Sequence, residues 1–120
     1  MRERILYSIS DTPIQAVRPN DRQWQILLPG VAVKILRADM IERTQTALWK
    51  LDAGARIPAH AHVLEEECMI LQGELEHAGT RYSTGDFLFT RGGAQHEDIH
   101  TPRGALLLIR GERIGTAGLG

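Results

Sequence analysis

The residues best suited to chemistry lie between Gly54 and Gly73, where His60 and His62 are two apart and Glu66 follows four later. In an extended chain residues i and i+2 share a face, so the two imidazoles project side by side. A bend at Val63–Leu64 brings the chain back and turns Glu66 toward the same space. A third imidazole, His96, stands thirty residues after Glu66, behind Gly92 and Gly93. Three ring nitrogens and a carboxylate suit one divalent transition metal, Fe, Mn, Ni or Zn, with the carboxylate lowering the net charge of the site. For a lone His-x-His pair, two surface histidines on a half-buried sheet are the plainer explanation. The whole pattern of Gly54, His60, His62, Glu66 and Gly73 arises by chance on the order of once in ten thousand, and it favours the metal.

Such a site needs stiff carriers, and strands supply them because the sheet fixes side-chain directions. From Val31 onward the pattern is β. Val31, Val33 and Ile35 alternate with Ala32, Lys34 and Leu36, and Ala47, Trp49 and Leu51 share one face of Thr44–Asp52. Further strands are expected at Glu67–Gln72, Glu74–His77, Arg81–Tyr82, Phe87–Thr90, Gln95–Ile99 and Ala105–Arg110, separated by glycine-bearing turns. The run from Ala105 to Ile109 is apolar on both faces and reads as a strand covered on both sides. No segment after residue 30 keeps a helical period for three turns. The expected fold class is all-β, a sandwich or barrel in a single domain. Residues 1–30, with Ile5, Tyr7 and Ile9 alternating and a short strand from Trp24 to Leu28, read as an N-terminal arm. The barrel is expected over residues 31–114, and residues 115–120 read as a frayed tail.

Composition narrows the classes. A chain of 120 residues buries roughly two thirds of its unfolded surface on folding. It needs no metal as a folding staple, so a bound ion is expected to be functional. Fourteen Lys and Arg balance fifteen Asp and Glu, without the basic face that nucleic acid or an anionic membrane demands. The single cysteine, Cys68, makes no internal disulfide. The N-terminus lacks a signal-peptide core and no apolar run reaches transmembrane length, so a cytoplasmic location is expected.

With these residues in hand, the sequence resembles the cupins. Their first motif spaces a glycine, His-x-His, a glutamate and a glycine as Gly54, His60, His62, Glu66 and Gly73 are spaced here. Their second motif is matched by Gly85, Gly93 and His96, with Arg91 where Pro is expected and His100 where Asn is expected. The resemblance implies a jelly-roll antiparallel β-barrel holding a metal on His60, His62, Glu66 and His96. A narrower resemblance, over residues 24–111, is to the cupin domain of ChrR-type anti-sigma factors. In that family the cupin is joined to a zinc-binding anti-sigma domain. With one Cys in the chain and no His in residues 1–30, no counterpart of that domain is expected in these 120 residues. Cupins commonly pair through the outer sheet or N-terminal strands, so the resemblance implies a homodimer.

Three functions remain open on this reading. The first is a metal-dependent, dioxygenase-like enzyme acting on a small oxygenated molecule, with open positions on the ion. The second is a non-catalytic metal-containing sensor or regulatory domain of the ChrR type, and the third an isomerase-like cupin. Around the ligands, Cys68 is either a soft ligand or a small buried hydrophobe. Glu65 rivals Glu66 if a bend breaks the alternation. Glu97, Asp98 and His100 are either acceptors behind a ligand or surface groups. His77 is expected at an exposed turn, and Trp49 and Phe89 either wall the pocket or fill the core.

Overall fold

The structure, a computed structural model, describes residues 13–113. The alternating segment at Ile5–Ile9 and the tail at 115–120 lie outside the described residues. Alternating burial, not propensity alone, sets the strands. In Thr44–Leu51 the side chains of Gln45, Ala47, Trp49 and Leu51 are buried, while those between them are half-buried or exposed.

The strands are β1 (Gln25–Leu28), β2 (Val31–Asp39), β3 (Thr44–Leu51), β4 (Arg56–Ile57), β5 (His60–Ala61) and β6 (Glu66–His77), followed by β7 (Thr80–Ser83), β8 (Phe87–Thr90), β9 (Gln95–His96), β10 (Ile99–His100) and β11 (Ala105–Glu112). No helix occurs among the described residues, so none there is long and apolar enough to cross a membrane. Nine strands form one curled antiparallel sheet in the order β1-β2-β3-β11-β6-β10-β4, with β7 and β8 also paired to β6. The other two, β5 and β9, make a separate ribbon. The core inside the curl joins Val31, Val33 and Trp49 to Ile70, Leu75 and Leu107.

Sequence position and place in the sheet are decoupled at β11. Although last among the described strands, it lies between β3 and β6. Its inward residues Ala105, Leu107 and Ile109 are buried, and Leu106 and Leu108 are half-buried on the other face. The expected cover on both faces is therefore complete on one and partial on the other.

Two expected boundaries differ. The sequence reading places a turn at Gln72-Gly73, whereas β6 runs through it as a single strand of 12 residues. Gly73 takes a positive φ of 85°, and nearby the register against β11 jumps from Leu106↔Gln72 to Leu107↔Ile70. This β-bulge bends the strand without ending it. Before the bend β6 pairs with β11 and β8, and after it with β7 and β10. The expected strand Gln95–Ile99 is split at Glu97-Asp98 into β9 and β10, which join different sheets.

Residues 13–24 hold no strand, and Pro19 and Trp24 among them touch the outer side of β2 and β3. Lys34 Nζ donates to the Pro19 carbonyl at 2.8 Å, and the Lys34 and Lys50 ammonium groups sit 4.9 and 4.5 Å from the Trp24 ring centre. Both cations thus face one aromatic ring.

At Gly73 an added Cβ would overlap the Gly104 carbonyl oxygen and come within 2.8 Å of the Ala105 Cα, in a backbone conformation that side chains disfavour. Gly73→Ala is expected to lose about 2–4 kcal/mol of stability in urea unfolding. Gly79→Ala, where an added Cβ meets nothing within 4 Å, is expected to lose only about 1 kcal/mol from its own positive φ.

Candidate functional site

The stretch that carries His60 and His62 is held by short-range pairing. In the β5–β9 ribbon His60 is the register partner of His96, and Ala61 of Gln95. The ribbon extends through His62 N–H donating to the Ala94 carbonyl at 2.8 Å and Gly93 N–H donating to the His62 carbonyl at 2.9 Å. Gly92 packs so close that a Cβ there would sit 3.0 Å from the Val63 carbonyl oxygen, which accounts for a glycine in this turn. The side chain of His96 lies outside the described residues.

His60 is half-buried and His62 buried, with ring centres 4.7 Å apart at an interplanar angle of 51°. Nδ1 of His60 is 2.9 Å from the Pro58 carbonyl. A carbonyl only accepts, so in the neutral ring this contact selects the tautomer with the proton on Nδ1 and the lone pair on Nε2. On the other side of the pair, His62 Nε2 is 3.6 Å from Glu66 Oε1. The bend at Val63–Leu64 therefore does return the chain, and Glu66 opens β6 beside the imidazoles. Glu65, the rival, is exposed. Gly111 makes room for this carboxylate, since a Cβ there would stand 3.2 Å from Glu66 Cγ.

Sequence reading missed Glu112. Its Oε1 accepts hydrogen bonds from Val63 N–H at 2.5 Å and Leu64 N–H at 2.9 Å, and lies 3.8 Å from His62 Nδ1. The last residue of β11 thus fastens the loop between His62 and Glu66. Its only signal in the sequence is a carboxylate near the end of an apolar strand, the same signal a solvated residue gives. Asp98 works on the opposite flank, with Oδ1 accepting from Ala59 N–H at 2.8 Å and Oδ2 lying 3.4 Å from Arg56. His100 engages Glu76 at 3.4 Å, and Glu97 is exposed. His77 is half-buried rather than at an exposed turn, because β6 carries it as far as its pairing with Thr80 and Ile99.

Between these groups and the core is a cavity of about 70 Å³, lined by His60 and Glu66 with Trp49, Cys68, Leu107 and Ile109 among its walls. Burial in this apolar space, with the Glu112 charge nearby, pushes the Glu66 carboxyl up to about 7. Burial first, and then Glu66, pushes the Cys68 thiol up to about 12, so at neutral pH it is a small, protonated core residue. Trp49 walls the pocket and fills the core at once, whereas Phe89 is on the outside. Among the described residues no three His, Cys, Asp or Glu side chains form a ready-made metal cluster; His60, His62 and Glu66 are neighbours short of that convergence.

A curled antiparallel sheet of this topology is the cupin fold. The family described as the ChrR Cupin-like domain matches residues 13–113, and the chain belongs to it. Among solved structures it is similar to an acetylacetone dioxygenase from Acinetobacter johnsonii, at 18% identity and a TM-score of 0.74, covering 84% of this chain and 75% of that one. It is also similar to an RmlC-like cupin from Ralstonia eutropha, at 17% identity and TM-score 0.75 over 87% and 71% of the two chains. A complex of Rhodobacter sphaeroides SigE with the anti-sigma ChrR matches at 24% identity and TM-score 0.66, over 79% of this chain and 51% of that chain. No curated protein matches. At these identities the structural likenesses establish the fold.

The raised Glu66 pKa has a definite sign. A carboxyl that folds at about 7 instead of 4.5 contributes stability that is full below 4.5 and lost as pH rises through 7. Chelator-treated protein is therefore expected to lose up to about 3 kcal/mol from this group between pH 5 and 8, and Glu66→Gln to remove that loss, as read by urea unfolding at both pH values. Glu112→Ala strips the acceptor from two backbone N–H groups. At pH 5.5 it is expected to cost about 1–3 kcal/mol in the same assay, with Glu112→Gln recovering most of it.

Proposed function

We propose that this chain is a metal-dependent cupin in which His60, His62, Glu66 and His96 hold one divalent transition metal, Fe, Mn, Ni or Zn, and that it acts on a small oxygenated molecule by dioxygenase-like chemistry. The carrying observation is the grouping of His60, His62 and Glu66 at one end of an apolar cavity. The donor set fits a cation. The 3.6 Å between His62 Nε2 and Glu66 Oε1 is too long for a hydrogen bond. Two donors of one ion, each about 2.1 Å from it, stand about 3.0–3.4 Å apart, so little movement is needed. A carboxyl whose charge is disfavoured by burial is one whose charge a cation would satisfy.

Such an ion supplies Lewis-acid binding of a diketone, enediol or hydroxyketone and, for a redox-active metal, access to dioxygen. The chain's own residues do the rest. The Pro58 carbonyl fixes the His60 tautomer that presents Nε2 as a donor. Glu112 and Asp98 hold the two ends of the His60–Glu66 stretch through backbone N–H groups. Trp49, Leu107 and Ile109 keep the cavity apolar, which strengthens every charge interaction inside it.

The fold shared with an acetylacetone dioxygenase supports the catalytic reading. Membership of the ChrR Cupin-like family favours a second one, a non-catalytic metal-containing sensor or regulatory domain. The test is elemental analysis of untagged wild type, His62→Ala and Glu66→Ala, with azide added to each Co(II)-loaded sample. Bound metal near one per chain in the wild type, lost at least tenfold in both variants, is expected. Full metal in both variants sinks the site. An azide-induced change in the Co(II) spectrum marks open positions and the enzyme; an unchanged spectrum marks the regulatory domain.

A further inference from the structure

We propose that Glu112 is a positioning residue of the metal centre: from behind His62 it keeps the ring proton on Nδ1 and so turns the lone pair of Nε2 toward the ion. The proposal rests on the metal reading of the site and adds to it a residue outside the ligand set.

Two carboxylates flank one imidazole here, and they stand at different nitrogens. Glu66 Oε1 is 3.6 Å from His62 Nε2, and Glu112 Oε1 is 3.8 Å from Nδ1. The cavity has Glu66 among its walls but not Glu112. An ion held between Nε2 and Glu66 has the ring between itself and Glu112, which is then no ligand. The other imidazole has the same polarity. His60 Nδ1 faces the Pro58 carbonyl at 2.9 Å, so each ring has an acceptor at Nδ1, supplied by a different part of the chain. A neutral imidazole has one protonated nitrogen and one lone pair, and an acceptor at Nδ1 decides which is which.

Behind His62 the acceptor is charged. Ligation draws electron density from the ring and makes Nδ1–H a stronger donor, which an anionic oxygen meets better than a neutral one. Oε1 already accepts from Val63 and Leu64 N–H, and a carboxylate keeps its second oxygen for a third donor. The gap of 3.8 Å is roughly 0.6 Å beyond hydrogen-bond length, a closing movement as small as the one between His62 and Glu66. The carrier is stiff. Glu112 ends β11 in register with Thr44 of β3, and one residue further on Arg113 N–H donates to the Arg43 carbonyl at 3.1 Å. A side chain on a strand paired beyond its own position is suited to holding an imidazole in one orientation.

Fastening the loop and setting the tautomer are separable, because glutamine does the first and not the second. A glutamine amide has one oxygen. With that oxygen taken by Val63 and Leu64 N–H, its NH2 group faces Nδ1, a donor where an acceptor is needed. Nδ1 then keeps the lone pair and the proton moves to Nε2, into the place of the ion.

The experiment compares wild type, Glu112→Gln, Glu112→Ala and, as a charge control, Glu65→Gln at an exposed carboxylate. Each is freed of metal and titrated with Zn(II) against a chromophoric chelator at about pH 7.5. Zn(II) affinity is expected to fall about 10–100-fold in Glu112→Gln, at least as far as in Glu112→Ala, while Glu65→Gln stays within about threefold of wild type. NMR of the His62 ring in the Zn(II)-loaded wild type is expected to show a slowly exchanging Nδ1–H, and a fast-exchanging one in Glu112→Gln. Urea unfolding of the metal-free proteins is expected to rank the two variants the other way, with Glu112→Gln the more stable. Zn(II) affinities that follow the urea midpoints, or a Glu112→Gln affinity within threefold of wild type, would overturn the proposal and leave the metal reading standing. Wild type that binds neither Zn(II) nor Co(II) would sink the metal reading, and this proposal with it.

Discussion

One bent strand holds this molecule together. β6 pairs with β11 and β8 along its first half and with β7 and β10 along its second, and the bend at Gly73 lets it do both. Gly73 and Gly104 meet there so closely that neither a side chain nor a larger backbone excursion fits. Because of that bend, Glu66 at one end of the strand and Leu75 beyond the bulge both face the same interior. A straight strand would carry its second half away and leave the cavity without a far wall.

Against this rigid frame the site is held by economical means. The His60–Glu66 stretch contributes only a two-residue ribbon of its own. Its remaining order comes from the His62 backbone bonds with Ala94 and Gly93 and from carboxylates on neighbouring elements, Asp98 on one side and Glu112 on the other, that accept backbone N–H groups. Glu66 and Glu112 both stand beside His62, and burial, with the Glu112 charge nearby, shows in Glu66 as a raised pKa. Concentrating unfavourable charge where a ligand binds is a common way for a fold to give up stability for function.

Much of this was legible from the chain. Period-two alternation placed β3 to within one residue, and the glycine-bearing turns and apolar runs placed β7, β8 and β11 to within two. The spacing of His60, His62 and Glu66 conveyed their proximity, since it depends only on strand geometry and one bend. What was not legible depends on contacts distant in sequence. A glycine between Gln72 and Glu74 reads as a turn, and nothing local says that Gly73 bulges instead. Nor does the sequence disclose that Glu112 crosses to Val63 and Leu64, or that Asp98 reaches Ala59. The second-motif departures at Arg91 and His100 fall outside the cluster: His100 turns to Glu76, and the Gly92-Gly93 turn docks on Val63 without needing a proline.

The place of β11 has a further consequence for how the molecule comes into being. It is the last of the described strands to leave a ribosome, yet it fills the middle of the large sheet and supplies Glu112 across 48 residues to Leu64. Until it emerges, β3 and β6 have no common neighbour and their apolar faces stay open to water. Chains stalled short of it would present raw sheet edges to one another, so the cavity walled by Leu107 and Ile109 closes only once β11 has been made.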